Sequence, residues 1–505
     1  MGGTIARQSF WASIVNYTGS VIGLFTTFYL FPLTFSPSET GVFRLFIEMG
    51  ALLAGVAQLG TGYSIWKFFP KFRSENGHHG VGFWLILLPM LGMVLVALSL
   101  LFFKAQVLLF FMENASDFLP YYNLLIPFVF FFVFNSVYET FSAAMGRIVF
   151  ASFLRENVVR IGLGVLAFLY FSEHLTFYGV MLGVSLVYGT VCFLNIVSVH
   201  QLTQLSYVPD WRFIRTHKEL KSEFSFYTLY LFLTYVAMLV LQRMDFLMVS
   251  KMKGTSDTGI YSIALNLSIL IEIPTRSILQ IANPKLSEAI HQGDRDEISR
   301  LYQKTSLNQF VLGGIVLLGI WVNIDLFYRF MPHGDIYKAG KMAVLYLGLG
   351  KLMVLLQGNS SAMLIFSKRY YLTLVVNVIA IITGVYMNQW LIPEMGISGA
   401  AVATGVVWLC TGVVVAMLIW FIYKMQPFTL KVLQAILVLA LGFGLNYLWP
   451  NTLSPNKIVL ISLYALKSLV ILTVVVFVIY RFRISDDIIS MMEKLMGRFQ
   501  KKTLK

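Results

Sequence analysis

Long apolar runs separated by short polar or basic stretches set the pattern of this chain. About 20 apolar residues carry an α-helix across the roughly 30 Å hydrocarbon layer of a bilayer. Read by apolar windows and the punctuation between them, the pattern predicts about fourteen transmembrane helices. In the first half they fall near 9–33, 41–66, 80–103, 119–142, 149–172 and 176–199. In the second half they fall near 223–249, 258–283, 305–328, 340–366, 371–392 and 396–423. Two more follow, near 430–449 and 457–480. The fold class expected is an all-α polytopic membrane protein.

A duplication organises these spans. Ser38-Glu39-Thr40-Gly41-Val42-Phe43 returns as Ser256-Asp257-Thr258-Gly259-Ile260-Tyr261, offset by 218 positions. Pro70-Lys71-Phe72 finds a counterpart in Pro284-Lys285-Leu286, and Gly179-Val180 in Gly396-Ile397. Landmarks with nearly one offset indicate a repeated unit. The expected organisation is an N-terminal lobe over 1–200 with six helices, a basic cytoplasmic linker over 201–222 and a C-terminal lobe over 223–424 with six helices. Two extra helices and a basic tail follow over 425–505. Six spans per repeat is an even number, so the lobes run parallel, related by an axis along the membrane normal. The Ser-acid-Thr-Gly motif falls at the turn before the second span of each lobe. There its hydroxyls and acid suit a helix cap, and its glycine suits a tight entry.

Composition agrees with this reading. The chain is 58% hydrophobic and 12% charged, with mean hydropathy +0.75. Soluble domains carry roughly twice that share of charge. Long runs rather than short alternating ones argue against a β-barrel. The net charge of +14 reads as topology rather than nucleic-acid binding. With the spans above, 26 Lys and Arg residues fall on one side of the membrane and 7 on the other. Arg147, Arg155 and Arg160 are counted with the richer side. This bias predicts a membrane protein with both termini in the cytoplasm. The apolar stretch after Arg7 reads as a retained first span rather than a signal peptide. Cys192 and Cys410 lie inside apolar runs, so neither a disulfide framework nor a metal site is expected.

Charges inside the spans are the candidate chemistry, because each costs about 3 kcal/mol or more at bilayer depth unless it faces a partner or water. Arg44, Arg243, Arg276, Lys351 and Lys467 are such cations. Arg44 and Glu48 stand four apart on the second span, and Glu272 and Arg276 stand four apart on its counterpart, the eighth. Two ion pairs on matching helices are therefore expected, with helix-register pairing as the bland alternative. Arg276 follows Pro274, a hinge expected to open the helix and free backbone groups. Arg243 and Asp245 are two apart and need partners elsewhere. Lys351 has no acid within its own helix, which suits an anionic ligand. Lys467 reads as structural or lipid-facing, and His78 and His79 as solvated loop residues. Glu48, Asp245, Glu272 and Asp325 are candidates for ion or proton coupling. Gly334 to Lys341 resembles a P-loop superficially, but the spacing is off by one and Met342 stands where Ser or Thr would hold magnesium. Without a nucleotide site, metal cluster or nucleophile–base pair, the chain reads as a transporter rather than an enzyme, with no cofactor.

Six plus six spans in a parallel repeat, followed by two helices, resembles the multidrug/oligosaccharidyl-lipid/polysaccharide exporter superfamily. The acid-Thr-Gly-aromatic segment at Glu39 to Phe43 and Asp257 to Tyr261 is similar to that of its polysaccharide branch, as is Gly-Ile-x-Gly-Ala at 396–400. The resemblance implies an O-antigen-type flippase. Its substrate would be an undecaprenyl-pyrophosphate-linked oligosaccharide, moved by alternating access. Arg44, Arg276, Arg243 and Lys351 would contact the pyrophosphate and glycan, because guanidinium groups suit bidentate phosphate contacts. A membrane potential or an H+ or Na+ gradient would supply energy. Membrane lipids and polysaccharide polymerase or assembly proteins are the implied partners, with no nucleic acid. The alternatives are an ion-coupled multidrug or organic-cation antiporter of the same superfamily and a peptidoglycan-precursor (lipid II) flippase. The first span holds Asn16, Tyr17 and Thr18 in place of the arginine cluster of the peptidoglycan-precursor flippases.

Overall fold

The structure is a computed structural model, and it describes residues 2–72, 77–203, 205–211, 218–367, 369, 371–450, 456–490 and 493. Linker residues 212–217 and most of the basic tail lie outside them, as do Arg73 and Lys368. The described chain is helical, without a strand. It has thirteen helices long and apolar enough to cross a membrane. The remaining predicted span, 149–172, is also helical over 149–171, in the segments Val149–Phe153, Leu154–Val158 and Val159–Phe171. It misses that count because Arg155, Glu156 and Arg160 lie inside it. Arg155 and Arg160 thus lie well inside a span, although the basic-residue tally counted them with one side of the membrane.

In chain order the helices are α1 (Gly2–Phe25, continued through a π-helical turn to Thr34), α2 (Pro37–Ala57), α3 (Thr61–Phe72), α4 (Val81–Phe102), α5 (Lys104–Met112), α6 (Leu125–Ala144), α7 (149–171) and α8 (Phe177–Leu202). They continue as α9 (Lys218–Lys253), α10 (Thr255–Ile269), α11 (Ile273–Gln292), α12 (Arg295–Phe330), α13 (Lys341–Leu356), α14 (Ser360–Phe366), α15 (Leu372–Met395), α16 (Ile397–Tyr423), α17 (Leu430–Leu448) and α18 (Lys457–Arg481). Two compact units emerge. One comprises residues 1–262 with 331–333, the other 263–330 with 334–505.

Several predicted spans are broken helices. The second ends at Ala57, because Leu59 and Gly60 take positive φ (45° and 77°) before α3 begins. The tenth breaks at Gly358, with φ 54°, between α13 and α14. The eighth passes through a 3-10 turn at Leu270–Glu272, and Pro274 is the second residue of the helix that follows. Pro tolerates that position because its missing N–H would have no intrahelical acceptor there.

In the first unit, the repeated motif acts as a helix start. Ser36 caps α2: its hydroxyl accepts from the Glu39 amide (3.2 Å), and the Glu39 carboxylate accepts from the Ser36 amide (2.8 Å). Gly41, expected to serve a tight entry, lies within the helix and serves a close crossing. A Cβ on Gly41 would fall on the Thr255 carbonyl oxygen, and one on Gly259 on the Pro37 carbonyl oxygen. The glycines of the two motif copies thus let α2 and α10 meet backbone to backbone. The hydroxyls of Ser38 and Thr255 lie 2.7 Å apart, and both donate to Asp117 Oδ2 (2.7 and 3.2 Å). Buried Phe43, Phe46, Phe118 and Phe128 pack beneath this contact. His78, expected to be solvated, is buried, with Nε2 2.6 Å from the Thr203 hydroxyl.

In the second unit, α17 and α18 pack on α12 through Leu317, Leu318, Val438, Leu439, Ile471 and Val475. Beyond α18, Ser485 donates to Asn308 (2.6 Å), and Asp487 accepts from Lys304 (3.0 Å) and Asn308 (2.9 Å). Burial pushes the Asp487 carboxyl up, but the Asn308 and Lys304 donors outweigh it and hold the pKa below the usual carboxylate value.

Two predictions follow from this packing. Gly41→Ala and Gly259→Ala should each lower thermal stability in detergent by about 1–3 kcal/mol, the range for overpacking. Gly444→Ala should not, because a Cβ there meets open space. A depressed carboxyl pKa favours the folded clamp above the unfolded value and loses that contribution as pH falls through the folded one. Protease nicking after residue 481 should therefore rise with acidification through that range, and Asp487→Ala should abolish the pH dependence.

Candidate functional site

Each charge in a spanning helix must be read by where its partner stands. On α2, Arg44 lies one turn beyond Thr40, and Glu48 lies a further turn along. The two were expected to pair with each other. Instead Arg44 turns to α1, donating to the Thr27 hydroxyl (3.1 Å) with its guanidinium 5.8 Å from the Phe31 ring centre. Glu48 pairs with Arg243 of α9. Asp245, two residues on, is buried and accepts from the Tyr261 hydroxyl (3.3 Å). Residues two apart point to different sides of a helix, so Arg243 and Asp245 meet different elements.

The second unit repeats this logic. Glu272 does not pair with Arg276, although the two stand four apart where the 3-10 turn hands over to α11. Its carboxylate is 2.6 Å from Lys351 Nζ, and that ammonium also lies 4.2 Å over the Trp408 ring. Lys351, which has no acid in its own helix, receives one from a neighbouring segment. Gly350 makes room: a Cβ there would lie 2.7 Å from Gly405 Cα and 2.9 Å from the Trp408 ring. Arg276 is exposed and forms none of the ion pairs seen among the described residues. Asp325 accepts from Lys341 through both carboxylate oxygens (2.8 Å each). Lys467 is buried on α18, 5.8 Å from the Tyr464 ring centre and within electrostatic range of Asp325 and Lys341.

Sequence reasoning missed one cluster in the first unit. Arg155 of α7 pairs with Glu139 of α6 and with Glu156 (3.0 Å to the latter), and Arg160 Nη2 lies 2.7 Å from Glu156. The signal was present, since Glu156 and Arg160 stand four apart inside an apolar run. The tally of basic residues had counted those arginines with one side of the membrane rather than with the charges inside the spans.

The fold has counterparts among known proteins. The MatE family model matches residues 231–390. No curated protein matches. Among solved structures, a lipid II flippase MurJ in an inward closed conformation superposes with TM-score 0.73 at 15% identity, covering 94% of this chain and 99% of its own. An inward-facing multidrug-resistance MATE transporter gives 0.62 at 14%, covering 81% and 98%. A MOP-superfamily transporter from Pyrococcus furiosus gives 0.54 at 13%, covering 83% and 95%. The chain therefore has the fold shared by these MOP-superfamily transporters, in a multi-pass membrane protein.

The Lys351–Glu272 pair is testable by itself. Lys351→Met should destabilise the protein by about 2–3 kcal/mol, less than the ~3–5 kcal/mol for breaking a fully buried pair. The discount reflects the 26% exposure that the Glu272 side chain retains. Adding Glu272→Gln should recover most of that loss, as read by melting in detergent.

Proposed function

We propose that this protein is a flippase for an undecaprenyl-pyrophosphate-linked oligosaccharide in a bacterial cytoplasmic membrane. It would work by alternating access of residues 1–200 and 223–424. The observation that carries this reading is the set of cations held inside an apolar helical fold. Arg44, Arg160, Arg243, Arg276, Lys351 and Lys467 all lie in spanning helices. A diphosphate at bilayer depth needs such groups, and the guanidinium fork matches its oxygens.

Chain length supports the same reading. The flippase structure covers 94% of this chain and the multidrug transporter 81%. The difference is about the size of α17 and α18 with the tail. An organic-cation antiporter would place acids in excess, and here the acids Glu48, Glu272 and Asp325 are each held by a cation. Arg44, Arg243, Arg276 and Lys351 are the substrate-contacting cations in this reading. Glu48, Asp245, Glu272 and Asp325 carry the coupling, and Pro274 marks a hinge. No ATP is required, and a membrane potential or ion gradient would drive the cycle. The termini lie in the cytoplasm, and polysaccharide assembly proteins receive the product.

Deleting the gene should accumulate a lipid-linked oligosaccharide on the cytoplasmic side, identified by mass spectrometry of extracted lipids. Complementation with Arg276→Ala should lower export at least about tenfold, the loss of one charge-assisted contact of ~1.5–3 kcal/mol. Its membrane level should stay normal. Accumulation of the peptidoglycan precursor would instead select the lipid II reading. Unchanged lipids together with sensitivity to cationic drugs would select the antiporter.

A further inference from the structure

Helix α1 carries two bare positions four apart, Gly19 and Gly23, and α7 lays two charged residues four apart over them. A Cβ on Gly19 would lie 2.7 Å from the Cβ and carbonyl oxygen of Glu156. One on Gly23 would lie 2.9 Å from Cζ and Nη1 of Arg160. Small residues at this spacing ordinarily admit an apolar ridge from a neighbouring helix. Here the groove admits an ion pair, although a buried pair often stabilises no better than apolar packing of equal volume.

The segment is built around this contact. Residues Leu154–Val158 form a π-helical turn, a feature often found at functional sites. Asn157, buried beside it, accepts from the Thr18 hydroxyl (3.1 Å) and donates to the Val15 carbonyl (3.0 Å). Arg160 stands midway along the 149–171 helix, about 16 Å from either end at 1.5 Å per residue. That is near the centre of a ~30 Å hydrocarbon layer. Its Nη2 meets Glu156, while its Nη1 is buried without a hydrogen-bond partner. The side chain keeps 32% exposure. The partly buried Tyr188 lies within electrostatic range of Arg44, Arg160 and Glu156, so both cations serve one region of the first unit.

We propose that Arg160 is a substrate-binding cation for the diphosphate headgroup, acting with Arg44, and that Glu156 is its resident counter-ion in the substrate-free state. The assignment rests on the flippase reading and adds a residue to it. The diphosphate displaces the Glu156 carboxylate from Arg160. The guanidinium, held at depth by the bare Gly23, then exchanges one anion for another and is never left unpaired.

The test titrates purified protein in detergent with farnesyl diphosphate, inorganic diphosphate and farnesol, following intrinsic fluorescence. The wild type should bind farnesyl diphosphate in preference to farnesol and to inorganic diphosphate. Arg160→Gln should weaken farnesyl diphosphate binding at least about tenfold, the loss of one charge-assisted contact, and leave farnesol unchanged. Glu156→Gln should tighten it, because the competing anion is gone. The exchanged variant Glu156→Arg/Arg160→Glu keeps opposite charges but moves the cation by about 6 Å along the helix. It should regain thermal stability without regaining diphosphate preference. If it regains both, or if Arg160→Gln binds like the wild type while Arg44→Gln does not, the assignment of Arg160 fails and the flippase reading stands. If the wild type itself does not prefer the diphosphate to farnesol, the flippase reading fails with it.

Discussion

A charge inside a bilayer-spanning helix must be answered by a partner, and most of the informative geometry in this protein is such an answer. Glu48 of α2 is met by Arg243 of α9, and Glu272 by Lys351 of α13. Placing any of these side chains in hydrocarbon costs several kcal/mol, so the partners fix which helices neighbour one another. Within the second unit, the Lys351 ammonium also rests on the Trp408 ring, adding a cation–π contact that strengthens where water is excluded.

Glycine supplies the space for these arrangements. Gly41 and Gly259 bring α2 and α10 into backbone contact in the first unit, and Gly350 does the same for α13 and α16 in the second. Glycine is used here for the absence of a side chain rather than for its freedom of φ. That explains why the duplicated Ser-acid-Thr-Gly motif keeps a glycine inside a helix, where its propensity is poor by about 1 kcal/mol. The cap residues start the helix, and the glycine two residues after the capping acid Glu39 sets how closely the next element approaches.

The helices were legible in the sequence because hydropathy is a sum over twenty residues, and a sum survives local irregularity. The breaks at Leu59–Gly60 and Gly358 were not, because apolar composition continues through them and only the backbone turns. Ion pairs were legible as residue types but not as partners. Sequence spacing reports neighbours on one helix, and so it offered Arg44 to Glu48 and Arg276 to Glu272. It could not report the side chains arriving from α9 and α13. Arg160 shows a different failure. Its position inside an apolar run was visible, but a rule that counts basic residues by side had already counted it with one face of the membrane.

The pattern that emerges bears on how an apolar fold can hold an anion transiently. A free cation at bilayer depth would be too costly to keep between transport cycles. A cation locked into an ideal bidentate pair would not release its partner. Two of the pairs seen here lie between these limits. Arg160 meets Glu156 through one nitrogen, and Lys351 meets Glu272 through one carboxylate oxygen. Each pair also keeps partial exposure, so an incoming anion finds a donor already desolvated and its counter-ion already at hand. In the proposed flippase, exchange of one carboxylate for one phosphate oxygen at Arg160 would keep that guanidinium paired throughout, and the displaced Glu156 would keep Arg155 as its partner.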